Sequence, residues 1–200
     1  MANADRPNGL IPIGTKSGSA WTAQVREYPV DSNTAGNIAI GSPVVLEAGG
    51  NLELATAGAT NVILGVVVGF VPTGNADGDN FLTSANLGVT EHPGYLPAAT
   101  AGRALVAVGR DILYQAQMDT GTVVAATAVG ARANLVGNSV STTTGRSTAE
   151  IDSSGVGQDA TFQLQLHDYV RSPDNDLSVE HSKWIVSINL DQNANATAGI

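Results

Sequence analysis

Short apolar runs, some alternating and some continuous, follow one another along the chain, separated by clusters of Gly, Asn, Asp and Ser. Residues 162–167 alternate cleanly. Phe162, Leu164 and Leu166 face one way and Gln163, Gln165 and His167 the other, which predicts a half-buried strand with its polar residues outward. Residues 183–190 repeat the pattern, with Trp184, Val186, Ile188 and Leu190 on one face. Residues 111–118 do the same with Ile112, Tyr114, Ala116 and Met118. Residues 62–71 (VILGVVVGFV) are apolar on both faces, which predicts a strand buried on both sides. Further strands are predicted over 21–30, 42–46, 52–55 and 104–108.

The intervening segments are turns and loops. Residues 72–80 (PTGNADGDN) form a loop by composition, and 81–97 read as a long loop carrying Tyr95. Residues 127–135 predict one or two helical turns with Thr127 as N-cap. Residues 138–157 predict a polar surface excursion in which Ile151 is the one large apolar side chain of the second half, and 191–200 a mobile tail. No helical period is sustained. The expected fold class is mainly β with little helix: a small barrel, β-tulip or sandwich body over residues 21–190.

The first 20 residues stand apart. MANADRPNGLIPIGTKSGSA is too broken by Gly and Pro for a long helix and is poorly suited to burial in its own core. An extended arm that docks on a partner is expected, with Arg6, Pro7, Leu10, Ile11, Ile13 and Trp21 as the candidate partner-binding residues. Its apolar members could add a strand to a neighbour's sheet edge.

Composition sharpens this picture. Only 14 % of the residues are charged, against about 25 % in ordinary domains, so the surface is weakly charged. Aromatics are 4 %, so the core must rely on Val, Leu, Ile and Ala, and oligomerisation becomes a further source of stability. The net charge is −9, and no Lys or Arg lies between Arg26 and Arg103, where seven acidic residues fall. That balance argues against nucleic-acid binding, which basic side chains drive. There is no cysteine, which removes disulfide and thiol chemistry. The longest apolar run is half the length a membrane-spanning helix needs, and no secretory leader is evident, so a soluble chain made in a cytoplasm is expected.

Catalytic and metal signatures are weak. His92, His167 and His181 share no metal-ligand spacing, so surface or turn positions are expected for them and no metal or cofactor is assigned. Asp77 and Asp79 could offer oxygen ligands to Ca²⁺, but the loop departs from the EF-hand pattern and reads as an Asp-Gly turn. The densest polar cluster is His167, Asp168, Arg171, Asp174 and Asp176. It reads as a solvated turn stiffened by Arg171 pairing with Asp174 or Asp176. No nucleophile elbow, phosphate-binding loop or zinc-protease motif is present, so a non-enzyme is expected.

Several segments, in order, carry a resemblance. They are Met1-Ala-Asn-Ala-Asp-Arg-Pro-x-Gly9, Ser17-Gly-Ser-x-Trp21, Ile40-Gly-Ser-Pro-Val44 and Ile63-Leu-Gly-Val-Val-Val-Gly69, then Tyr95-Leu-Pro-Ala-x-Thr-Ala-Gly102, Ser141-Thr-Thr-Thr-Gly145, Asp174-Asn-Asp176 and Lys183-Trp184. Together they span nearly the full length and resemble a group of tailed-bacteriophage capsid decoration (cement) proteins. The resemblance implies a structural virion protein on the outer face of an icosahedral head. Such a protein binds the major capsid protein, reinforces junctions between capsomers, and self-associates, commonly as a homotrimer at three-fold positions, with a dimer as the alternative. No cofactor, nucleic acid or membrane partner is expected. The chain is longer than simpler decoration proteins, which implies a second β subdomain or insertions around 73–95 and 138–160. Two other functions fit a β-rich chain of this kind. One is a tail or baseplate component. The other is a carbohydrate-binding β-sandwich, for which Trp21, Tyr28, Tyr95, Tyr114, Tyr169 and Trp184 are the available stacking residues.

Overall fold

A computed structural model describes residues 3–71 and 94–194. The fold is mainly β, built from several antiparallel sheets, and no closed barrel forms among the described residues. Numbered over those residues, the first large sheet has the order β1 (Ile11–Thr15), β9 (Ile112–Gln117), β16 (Lys183–Ile188), β15 (Leu164–Tyr169), β10 (Arg132–Ala133). The second has the order β2 (Arg26–Val30), β8 (Gly102–Ala107), β6 (Gly65–Phe70), β4 (Pro43–Leu46), β5 (Leu52–Leu54). Three small pairs complete it: β3 (Ile38–Ala39) with β7 (Tyr95–Leu96), β11 (Leu135–Val136) with β14 (Glu150–Ile151), and β12 (Val140–Ser141) with β13 (Arg146–Ser147). Among the described residues no helix is long and apolar enough to cross a membrane.

Two hydrophobic cores lie against these sheets, and β6 serves both. Val66 packs with Tyr114, Trp184 and Leu164 in the larger core, while its neighbour Val67 packs with Val44, Val106 and Leu96 in the smaller one. All of these side chains are essentially inaccessible to solvent. Successive strand residues point to opposite faces, so a continuous apolar run is what a strand between two cores requires. Gly65 permits the close approach: a Cβ there would run into the Ala107 carbonyl and Val106.

The β9 and β16 alternations are met as expected. Ile112, Tyr114, Ala116, Trp184, Val186 and Ile188 are all buried in the larger core. The two polar atoms that go in with them are satisfied. The Tyr114 hydroxyl donates to the Ala107 carbonyl at 3.1 Å, and Trp184 Nε1 donates to Ser182 Oγ at 3.0 Å. Leu190 is only half-buried, beyond the end of the strand.

Elsewhere the structure departs from expectation. Gln163, expected outward, is fully buried. Its Oε1 accepts from the Gly58 and Leu135 amides (2.9 and 3.2 Å), and its Nε2 donates to the Thr56 and Asn61 carbonyls (2.8 and 3.1 Å). A polar side chain goes inside when it satisfies backbone groups that have no other partner. The helix expected over 127–135 is a single 3-10 turn, Ala126–Ala128, with no side-chain cap; Gly130 at φ +90° follows, and the chain continues as β10 and β11. The strand expected from residue 21 begins at Arg26, and Ala23 before it is left-handed at φ +57°.

The excursion expected over 138–157 is folded in. Ser147, Ala149 and Ile151 are buried, and Asn138 Nδ2 donates to the carbonyls of Pro43 (3.0 Å) and Ala55 (2.7 Å). The tail expected to be mobile from residue 191 begins anchored. Asp191 is buried and bridges to Ile63, and the Gln192 amide pairs with both backbone groups of Leu46. The loop over 72–80, with Asp77 and Asp79, and most of the expected 73–95 insertion lie outside the described residues.

Candidate functional site: the N-terminal segment and its surroundings

The N-terminal segment was expected to stand off as an extended arm. Instead, residues 3–20 are built into the body. Asn3 is the first anchor: its Nδ2 donates to the carbonyls of Asp176 and Glu180 at 2.8 Å each, and its Oδ1 accepts from the Asp176 amide at 2.9 Å. Gly9 and Leu10 are the second. Gly9 sits at φ +67° against the backbone of Gly41, and the Leu10 amide donates to the Gly41 carbonyl at 3.0 Å. Leu10 is fully buried in the larger core, which corrects the expectation that it would be free to bind a partner. The physical reason is that the glycine pair lets the chain dip close enough to the sheet to carry Leu10 inside.

Residues 11–15 then add a strand, β1, to the edge of the chain's own first sheet rather than to a neighbour's. Ile11 pairs with Gln115, Pro12 with Tyr114 and Thr15 with Ile112, with a bulge at Ile13. A proline and a bulge are both features that edge strands tolerate. The chain turns back immediately, through a Gly14–Ala20 bridge and a Thr15 amide to Ser19 carbonyl bond of 2.9 Å.

Three large apolar side chains of this region remain exposed. Ile11 is 36 % exposed, Ile13 39 % and Val25 37 %. Ile11 and Val25 flank a groove of about 500 Å³ whose floor and walls include Pro12, Trp21, Val68 and Leu105. The Trp21 ring is half-buried, and its Nε1 has no hydrogen-bond partner. A second, more polar recess of about 310 Å³ lies on the other side of Ile11, lined by Arg6, Gln117, Asp174 and Lys183. Of the candidate partner-binding residues, Arg6 and Ile11 line the polar recess and Ile11 and Trp21 the apolar groove, while Ile13 is exposed at the bulge and lines neither. Pro7 is half-buried and lines neither recess.

Beside the segment lies a cluster that no sequence spacing groups together. Asp5, Glu150 and His181 bring one ligand atom each within 4.8 Å of one another. Gln117, itself buried, holds both carboxylates: its Nε2 lies 3.4 Å from Asp5 Oδ1 and 3.3 Å from Glu150 Oε1, while its Oε1 accepts from the Arg6 amide. His181 Nε2 is 3.3 Å from the Thr120 hydroxyl. Its Nδ1 is 3.9 Å from Asp5 Oδ1 and is buried with no hydrogen-bond partner. Burial, aided by the neighbouring Asp5 and Asp119 charges, pushes the Glu150 carboxyl up to about 7. Three residues from the start, middle and end of the chain carry no local signature.

The polar cluster around Arg171 is a stiffened turn, with a different partner from those expected. Arg171 pairs with Asp168 at 3.1 Å and stacks over the Tyr169 ring at 4.8 Å, while Asp174 pairs with Lys183 at 3.2 Å. His167 Nε2 lies 2.8 Å from Ser187 Oγ, and burial lowers the imidazole pKa, with help from the Lys16 charge. Compared with known proteins, the chain matches no family model, no curated protein and no solved structure.

Proposed function

We propose that this chain is a structural virion protein that binds the outer surface of an icosahedral phage head and ties neighbouring capsomers of the major capsid protein together. The observation that carries this reading is the mainly apolar groove lined by Ile11, Trp21 and Val25 at the β1 edge, with Ile13 exposed on the same strand. Exposed apolar side chains around a groove on a β protein suit a protein partner, and an edge strand can accept backbone hydrogen bonds as well as side-chain contacts. The net charge of −9 suits an external position, away from packaged nucleic acid. The resemblance of the sequence segments to decoration proteins supplies the choice of partner.

The docking element is a preformed edge, so binding does not require ordering a free arm. That removes a cost of about 1–2 kcal/mol per residue fixed. Assembly into a homotrimer would multiply weak single contacts by avidity, by about 10²–10⁴-fold.

The test is co-sedimentation of the purified chain with undecorated phage heads, with light scattering for its oligomeric state. Ile11→Asp combined with Ile13→Asp should weaken decoration at least about tenfold while leaving thermal unfolding nearly unchanged, because both side chains are already partly in water. Leu10→Ala should instead destabilise the body, by about 2–5 kcal/mol. Undiminished decoration by the double Asp variant would sink the proposal.

A further inference from the structure

We propose that Asp5, Glu150 and His181 form a binding site for a divalent transition-metal cation, Zn²⁺ foremost, that staples the N-terminal segment to the body.

The donor set and its spacing come first. Two carboxylates and an imidazole converge to within 4.8 Å. Around an ion with bonds of about 2.1 Å, ligand atoms sit about 3–4 Å apart, so closure needs side-chain adjustments of about an ångström. The imidazole argues for Zn²⁺ over Ca²⁺ or Mg²⁺, which favour all-oxygen shells. Water would complete the coordination sphere through Asp5, whose side chain is 61 % exposed and leaves the site open to solvent.

The second observation is independent of the carboxylates. The His181 side chain is only 14 % exposed, yet its Nδ1, facing Asp5, has no hydrogen-bond partner. A buried polar atom without a partner is uncommon in a folded protein and calls for one. The Thr120 hydroxyl can accept a proton from Nε2 at 3.3 Å, and in that tautomer Nδ1 carries the lone pair a metal needs. Gln117 steadies both carboxylates through one amide nitrogen. Among the described residues no Lys or Arg forms an ion pair with Asp5 or Glu150, so no side-chain cation already fills the position between them.

The three ligands come from the N-terminal segment, from β14 and from the loop before β16. The Asn3 bonds to Asp176 and Glu180 hold the segment over that loop, so the site is preformed. A bound ion would therefore restrain residues 3–10 further.

The experiment is isothermal titration of the full, chelator-stripped chain with ZnCl₂, paired with hydrogen exchange. One saturable site per chain is expected, with slower exchange over residues 3–10, and CaCl₂ or MgCl₂ binding at least tenfold more weakly. Glu150→Gln and His181→Ala should each cut Zn²⁺ affinity at least tenfold, whereas His167→Ala should not. Glu150→Gln is nearly isosteric, so it keeps the test decisive if His181→Ala folds poorly. No saturable Zn²⁺ binding, affinity unchanged in Glu150→Gln, affinity lost through His167→Ala, or tighter binding of Ca²⁺ would each overturn the assignment. Unaltered exchange over residues 3–10 would overturn the staple.

Discussion

The amide of Leu10 donates to the carbonyl of Gly41 at 3.0 Å, and this single bond marks where the N-terminal segment enters the body. Gly9 and Leu10 are both buried there, Leu10 wholly inside the larger core, while the next residue, Ile11, is back at the surface. The contact is possible because neither Gly9 nor Gly41 has a side chain. A Cβ on Gly9 would run into the Gly41 carbonyl and come within 2.7 Å of the Ser147 Cβ, and Gly9 is held at φ +67°.

Gly9→Ala therefore combines left-handed strain with a backbone clash. The expected loss of stability is about 2 kcal/mol or more, read from the midpoint of urea unfolding. Gly18→Ala is the control. Gly18 is also left-handed, at φ +88°, but faces open space, so about 1 kcal/mol of strain alone is expected. Equal losses in the two variants would show that the Gly9–Gly41 approach contributes nothing.

Gln163→Leu removes the side chain that serves four backbone groups. The Gly58 and Leu135 amides and the Thr56 and Asn61 carbonyls would lose that partner together. An unpartnered buried group costs about 1–3 kcal/mol; the Leu135 bond is buried and the other three are part-buried, so a loss of about 2 kcal/mol or more is expected despite the gain of an apolar side chain. Chemical unfolding followed by tryptophan fluorescence measures it. A variant as stable as the parent would mean that water replaces the amide at this position.

The third prediction concerns pH in metal-free buffer. The Glu150 carboxyl stands at about 7 in the folded chain against 4.5 in its unperturbed state, so the folded state holds its proton more tightly than the unfolded one does. Stability from this group is greatest below pH 4.5 and falls as pH rises to about 7, where the carboxylate ionises beside Asp5. Unfolding midpoints collected across that window should decline less steeply in Glu150→Gln. Identical slopes in parent and variant would remove Glu150 as the cause.

The strands were the legible part of this protein. Ile112, Tyr114 and Ala116 on β9, and Trp184, Val186 and Ile188 on β16, announce themselves because a period of two is a property of neighbouring residues. The doubly buried β6 was legible from its continuous apolar run, likewise a property of neighbouring residues. Gln163 was misplaced because its burial depends on backbone groups from residues 56, 58, 61 and 135, which the local alternation does not contain. Ile11 and Ile13 stand exposed, but Leu10, one residue away, does not. A run of three apolar residues among Gly and Pro gives no means of telling them apart.

By itself the sequence determined the β character, the apolar faces of the long strands and the excess of negative charge, since all three follow from residue type and short-range order. Only the tertiary structure decided that the N-terminal segment is an edge strand of its own sheet, and that Asp5, Glu150 and His181 meet. Both depend on contacts between residues far apart along the chain, through the backbone approach of Gly9 to Gly41 and the Asn3 bonds to the loop before β16.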